Sequence, residues 1–154
     1  MAIDKARAYL DERGLADRIF EVEASTATVA LAAEAFGVEP GRIAKTLSFL
    51  LDDEHPILVV AEGTTRTDNR KFKDTFHKKA KMIPRDEVEG YIGHAAGGVC
   101  PFAVKEGVPI YLDESLRRWD VVYPAAGNDH SGVRLTLDEL ETASGAVGWI
   151  DICK

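Results

Sequence analysis

Three side chains could carry chemistry, and they lie far apart in the sequence: Lys45 in an apolar run, Cys100 in a glycine-rich turn, and His130 in a second turn-rich segment. Lys45 stands among Ile43, Leu47 and Phe49. A lysine on a buried strand must be paired, put to use, or extended so that its ammonium reaches water. Cys100 belongs to Gly97-Gly98-Val99-Cys100-Pro101-Phe102. Paired glycines let a backbone approach a ligand closely or take positive φ, and Pro101 biases Cys100 towards an extended conformation and fixes the exit direction. The stretch reads either as the wall of a small pocket or as a structural bulge around a buried cysteine. Cys100 and His130 would form a nucleophile and its base, although His130 has no orienting carboxylate beyond its neighbour Asp129. His94, Cys100, Asp129 and His130 lack the paired spacing of zinc ligands, so no metal is expected. No phosphate loop, dinucleotide loop, serine elbow or zinc-protease signature occurs, and no cofactor is expected. His55 and His77 read as surface residues.

The elements that must position these groups follow from periodicity and punctuation. Residues 3–12 read as an amphipathic helix ended by Gly14, and 17–23 as a half-buried strand. Ser25 and Thr26 offer an N-cap for a helix over 27–36, ended by Gly37. After the Pro40-Gly41 turn, 43–51 is a strand in which Lys45 shares a face with Leu47, Phe49 and Leu51, while Ala44, Thr46, Ser48 and Leu50 face the other way. Residues 52–55 form a hairpin loop, and 56–61 return as a buried strand. A capped basic helix covers 68–76, a short strand 82–83, and a short helix 84–90 with proline in its first turn. Beyond the glycine-rich turn, strands are expected at 108–112, 121–123, 133–135 and 147–153. A loop spans 125–132, and a helix capped by Thr136 runs to 142. Many strands with scattered short helices indicate one α+β domain spanning 1–154, with a curved, barrel-like mixed sheet.

Composition bounds the function. At 154 residues the chain can bury a core without staples, and 45% hydrophobic with 29% charged residues fits neither a disordered nor a membrane class. No apolar run is long enough to span a bilayer, the N-terminus has no signal-peptide core, and two cysteines make no disulfide framework, so a cytoplasmic protein without a membrane partner is expected. A net charge of −7 argues against a general nucleic-acid coat protein. The charge is uneven, however. Between Arg66 and Lys81 seven cations face two aspartates, which leaves +5 there and −12 elsewhere. That segment is either a solvated helix face or a local phosphate-contacting patch.

The order Arg42-Ile43-Ala44-Lys45-Thr46-Leu47, then Tyr91-Ile92 ahead of the Gly97 to Phe102 turn, then Tyr123 and Gly127 leading into Val133-Arg134-Leu135 and a short acidic helix, resembles the YbaK/prolyl-tRNA-synthetase-associated editing-domain family. These are free-standing relatives of the insertion editing domain of bacterial prolyl-tRNA synthetase, and the resemblance covers residues 1–152. It implies hydrolysis of the ester in a mischarged aminoacyl-tRNA, with tRNA(Pro) carrying alanine or cysteine as the expected substrate. It further implies that Lys45 is the active-site lysine, and that Gly97 and Pro101 belong to a G-x-x-x-P loop shaping the amino-acid pocket. Gly97 and Gly98 are then expected to stabilise the oxyanion, with Val99, Cys100, Pro101, Phe102, Gly127, Asn128 and His130 lining the substrate. Residues 125–132 depart from the cysteinyl-tRNA(Pro) branch, which has a serine- and glycine-rich loop with an aspartate further on, so the amino acid stays open.

An aminoacyl ester is already activated, so a site need only orient water or the ribose hydroxyl and stabilise the developing oxyanion. Arg66, Arg70, Lys71 and Lys73 are then candidate contacts for the acceptor arm. With net charge −7, free tRNA should bind weakly, and a partner such as prolyl-tRNA synthetase would help deliver it. Two other readings remain: a non-catalytic binding module for aminoacyl-tRNA ends or nucleotide-like ligands, and a thiol enzyme using Cys100. The oligomeric state is open.

Overall fold

The computed structural model describes residues 2–154. In chain order the elements are α1 (Ala2–Asp11), β1 (Ile19–Glu21), α2 (Val29–Phe36), β2 (Ala44–Leu50), β3 (Pro56–Glu62), α3 (Asn69–Phe76), α4 (Val88–Ile92), β4 (Ile110–Asp113), β5 (Val121–Val122), β6 (Ser131–Val133), β7 (Leu135–Thr136), α5 (Leu137–Ser144) and β8 (Gly148–Ile150). The α+β class expected from the sequence holds. A four-stranded mixed sheet runs in the order β2-β3-β4-β8, antiparallel in its first pair and parallel in the next two. Two antiparallel ribbons, β1 with β6 and β5 with β7, lie beside it.

β3 explains why the sheet is buried on both sides. Its residues 57–61 are apolar without alternation, as a strand covered on both faces must be. Leu58 and Val60 join a large core with Leu10, Ile92, Phe102, Leu112, Leu135 and Leu140. Ile57, Val59 and Ala61 point the other way into a second core with Phe49, Phe72 and Ile152. The helix α3 closes that second face through an aromatic chain. Phe72 sits with ring centroids 4.8 Å from Phe49 and 4.9 Å from Phe76, and Phe76 packs edge-on against Tyr111 at 5.3 Å.

Helix ends follow local chemistry. Asp68 caps α3 by accepting from the N–H groups of Arg70 and Lys71. Thr136 and Glu139 form a reciprocal capping box on α5. At α2 the cap is Thr28, which accepts from Leu31 N, rather than Ser25 or Thr26. The helix starts only at Val29, and the N–H of Thr26 donates to Asp129 O at 2.6 Å, tying the approach to α2 onto the 125–132 loop. Residues 84–87 make a turn closed by Glu87 N to Pro84 O, so the helix read over 84–90 starts at Val88 instead. The final strand is shorter than expected. After Ile150, the N–H of Ile152 donates to the buried Asp113 carboxylate, and Lys154 exchanges two backbone hydrogen bonds with Arg66.

Phe72 is fully buried at the centre of the second core. Phe72→Ala should therefore cost about 3–5 kcal/mol in urea unfolding, whereas a loss under 1 kcal/mol would show that α3 is not held by this aromatic chain.

Candidate functional site

The site begins with a break in hydrogen bonding along β2. In its pairing with β3, Leu51 N donates to His55 O, so odd-numbered residues of the register form the bonded pairs and even-numbered ones turn N–H and C=O to the outer edge. That edge is occupied at both ends. Ala44 N donates to Tyr123 O at one end, while Leu50 N donates to Lys81 O and Ser48 O accepts from Ile83 N at the other. Between them Thr46 is left with an unpaired backbone edge, and its buried Oγ1 also has no partner among the described residues.

A pocket of about 290 Å³ opens at this gap. Its walls are Thr26, Thr28, Val29 and Phe36 from the start and end of α2, Ala44 to Thr46 and Ser48 of β2, Met82, Ile83 and Arg85 from the following turn, Ala96, Gly97 and Val99 of the glycine-rich loop, and Tyr123, Ala125 and Ser131. No Asp, Glu, His or Cys lines it.

The glycine-rich loop is held from behind. Gly97 takes φ +94°, a left-handed conformation that favours glycine. Gly98 packs on backbone: a Cβ there would lie 2.7 Å from both Asn128 Cα and Gly127 O. Gly98 N–H donates to Ala95 O at 3.0 Å, whereas the N–H groups of Gly97 and Val99 donate to no protein acceptor among the described residues. The fully buried His94 clasps the loop's exit, with Nε2 2.7 Å from Phe102 O. Burial lowers its pKa, so the ring is neutral and donates Nε2–H to that carbonyl, leaving Nδ1 unpartnered.

Several sequence expectations change here. Val99 faces the pocket, but Cys100 and Phe102 are fully buried in the large core with Pro101 between them, so these three do not line it. After Val99 the chain turns inward, and three consecutive residues are buried. Cys100 Sγ lies 3.5 Å from His94 Nε2, and burial pushes its thiol up to about 12, which suppresses the thiolate. His130 is not its partner. That ring is exposed, 3.3 Å from Ala24 O and 3.2 Å from Asp129 Oδ1, outside the pocket walls. Gly127 and Asn128 likewise act from behind, as the platform under Gly98, where Asn128 Oδ1 accepts from His130 N and Ser131 Oγ. Gly98 has no free N–H for an oxyanion.

Lys45 is half-buried and belongs to the pocket wall. By alternation it shares the α3 face of the sheet with Leu47 and Phe49, as read from the sequence. Its ammonium donates to Thr65 O. Burial lowers its pKa, and the nearby Glu62 and Asp113 carboxylates oppose that shift without cancelling it. The Thr65 turn is itself fixed by Glu62. That carboxylate is 1% exposed, accepts from Thr64 N and Thr64 Oγ1, and pairs with Arg118 at 2.7 Å.

The four cations expected to meet tRNA are on or before α3, away from the pocket walls. Lys71 is committed to Asp151 and Cys153 O, at 2.9 and 3.0 Å. Arg66, Arg70 and Lys73 are otherwise exposed, with Arg66 joined to Lys154 through its backbone. Thr26, Thr46 and Arg85, by contrast, belong to the pocket and were not read as site residues from the sequence. Among the described residues no group of three or more His, Cys, Asp or Glu could hold a metal ion, and no helix is long and apolar enough to cross a membrane.

Comparison with known proteins shows the family. The model of the aminoacyl-tRNA editing domain matches residues 23–143, which contain every residue of the pocket wall. A Bacillus subtilis protein called "Uncharacterized protein YwhH" is 42% identical over the whole chain and 98% of its own length. An Enterococcus faecalis protein named "Putative Cys-tRNA(Pro)/Cys-tRNA(Cys) deacylase" is 32% identical over 70% of this chain and 66% of its own. A solved structure titled "Crystal structure of a putative trans-editing enzyme for prolyl tRNA synthetase" superposes with a TM-score of 0.87 at 30% identity, covering 99% of this chain and 97% of that one.

Gly98→Ala must push the two loops apart, because the atoms its Cβ meets are backbone. The substitution should destabilise the protein by about 1–3 kcal/mol in urea unfolding and raise protease cleavage within residues 95–99. A variant as stable as the parent would show that the loops are free to separate.

Proposed function

The chain belongs to the aminoacyl-tRNA editing domain family, and we propose that it acts in trans to hydrolyse the ester of mischarged tRNA(Pro), with alanine or cysteine as the amino acid removed. The observation that carries this reading is a pocket without any acidic, imidazole or thiol side chain, in which an unpaired strand edge at Thr46 accompanies a glycine loop with two unused N–H groups. Such a site has no general base of its own. It suits a substrate whose acyl group is already activated and needs only orientation and charge stabilisation.

In this reading the small amino-acid side chain enters the pocket between Val29, Phe36 and Val99. The substrate's α-ammonium donates to Thr46 C=O, and the ester carbonyl points at the N–H groups of Gly97 and Val99. A water, ordered by Thr26 and Thr46 hydroxyls or by the ribose hydroxyl, adds to the acyl carbon. The bond to the ribose oxygen then breaks, and the proton released by water ends on that oxygen, freeing amino acid and tRNA. Lys45 supplies positive charge beside the reacting ester. Thr65 O takes one of its three donors, leaving two for substrate. Arg66, Arg70, Lys71 and Lys73 meet the acceptor arm farther from the ester, and prolyl-tRNA synthetase hands over the substrate to a chain too acidic to hold it tightly alone.

Lys45→Ala should lower release of amino acid from mischarged tRNA(Pro) by about 10²-fold or more while leaving the unfolding midpoint within the parent's range. Because burial lowers the Lys45 pKa, its charge is lost at lower pH than that of a free lysine; wild-type activity should fall on the alkaline side below about pH 10.5, and that limb should be absent from the residual activity of the variant. Cys100→Ser should largely retain turnover. Unchanged rates in Lys45→Ala would remove that residue from the reaction, and a protein that binds aminoacyl-adenosine without accelerating its hydrolysis would be a binding module.

A further inference from the structure

One charged side chain in the pocket wall has no role in the chemistry above. Arg85 lies at the rim, is exposed, and forms no hydrogen bond or ion pair among the described residues. Its place is nonetheless fixed. The segment before it is paired onto the edge of β2 through Leu50 N to Lys81 O and Ile83 N to Ser48 O, and the turn that carries it is closed by Glu87 N to Pro84 O. Ile83 and Val88, on either side, are buried in the large core. The arginine is therefore held beside the strand edge that forms the floor of the pocket.

We infer that Arg85 grips a phosphodiester of the nucleic-acid strand whose aminoacylated end occupies the pocket. The inference rests on the deacylase reading and deepens it. In an aminoacyl ester the carboxyl group is consumed by the bond to ribose, so the amino-acid half carries a cation and no anion. A guanidinium beside that half finds its only charged partner in the phosphate of the same terminal nucleotide, a few bonds from the ester. Its planar fork suits phosphate oxygens in a way that the ammonium of a lysine does not. Lys78, Lys79 and Lys81, all exposed, precede it directly and extend the positive charge away from the pocket, whereas Asp86 and Glu87 follow it on the turn. The track thus runs from the rim back towards the end of α3, and its first contact is Arg85 rather than the α3 cations.

The test uses two substrates and one binding measurement on the full chain. On mischarged tRNA, Arg85→Ala should raise KM about tenfold with kcat within about twofold, and flatten the slope of log(kcat/KM) against log[salt] by about one; Arg85→Lys should recover part of the loss. On aminoacyl-adenosine, which has no 5′ phosphate, all three proteins should turn over alike. An equal loss on both substrates, or no loss on tRNA, overturns the assignment. Fluorescence anisotropy with an uncharged acceptor-stem hairpin separates this inference from the reading beneath it. If the wild type hydrolyses neither substrate but Arg85→Ala still weakens hairpin binding and its salt slope, the deacylase reading falls and the phosphate contact stands. Hairpin binding unchanged by Arg85→Ala overturns the contact.

Discussion

Everything at the site depends on the interruption along the outer edge of β2. A strand edge is ordinarily paired, covered or blunted, because its N–H and C=O groups are costly to leave without partners and ready to accept foreign ones. Here the edge is capped at both ends by short bridges, Ile43 with Tyr123 and Phe49 with Met82, and left open at Thr46. Between those bridges neither Thr46 nor the adjoining Ala44 C=O and Ser48 N–H meets a backbone partner among the described residues. The pocket walls come from the segments that make those two bridges, from the loop facing the gap, and from α2 with its approach.

The loop opposite is shaped by contacts its own sequence does not contain. Gly98 rests on the backbone of Gly127 and Asn128, His94 ties Phe102 O, and the approach to α2 is fastened to Asp129 and His130 through backbone bonds from Thr26 and Val22. These are backbone and buried-side-chain constraints rather than surface ion pairs, which contribute little in water. They hold the loop in place while the Gly97 and Val99 N–H groups keep no protein acceptor among the described residues.

Much of the scaffold was legible in the sequence because local chemistry decided it. Asp68 and Thr136 announced α3 and α5, the unbroken apolar run announced β3, and alternation placed Lys45 on the face of Phe49. Local signals failed where a distant segment claimed the same groups. Thr26 looked like a helix cap, but it is tied to Asp129 O through its N–H and α2 starts later, capped by Thr28; Pro84 looked like a helix start, but it closes a turn; the last strand gives way to Asp113 and Arg66. In the glycine loop, residue types identified the turn but not which side chains faced out, so Cys100 and Phe102 read as lining when they are core. Arg85 and the edge at Thr46 carry no local signature at all. Each becomes visible only when the pairing of 81–83 with β2 is known.

The turn built on Glu62 has a further consequence. Its buried carboxylate shapes residues 62–65, and so places the carbonyl that receives the Lys45 ammonium. The position of the lysine is therefore tied, through one buried acid, to Arg118 on the turn after β4. A change at Glu62 or Arg118 would thus reach the lysine without altering the pocket wall, since neither residue lines it.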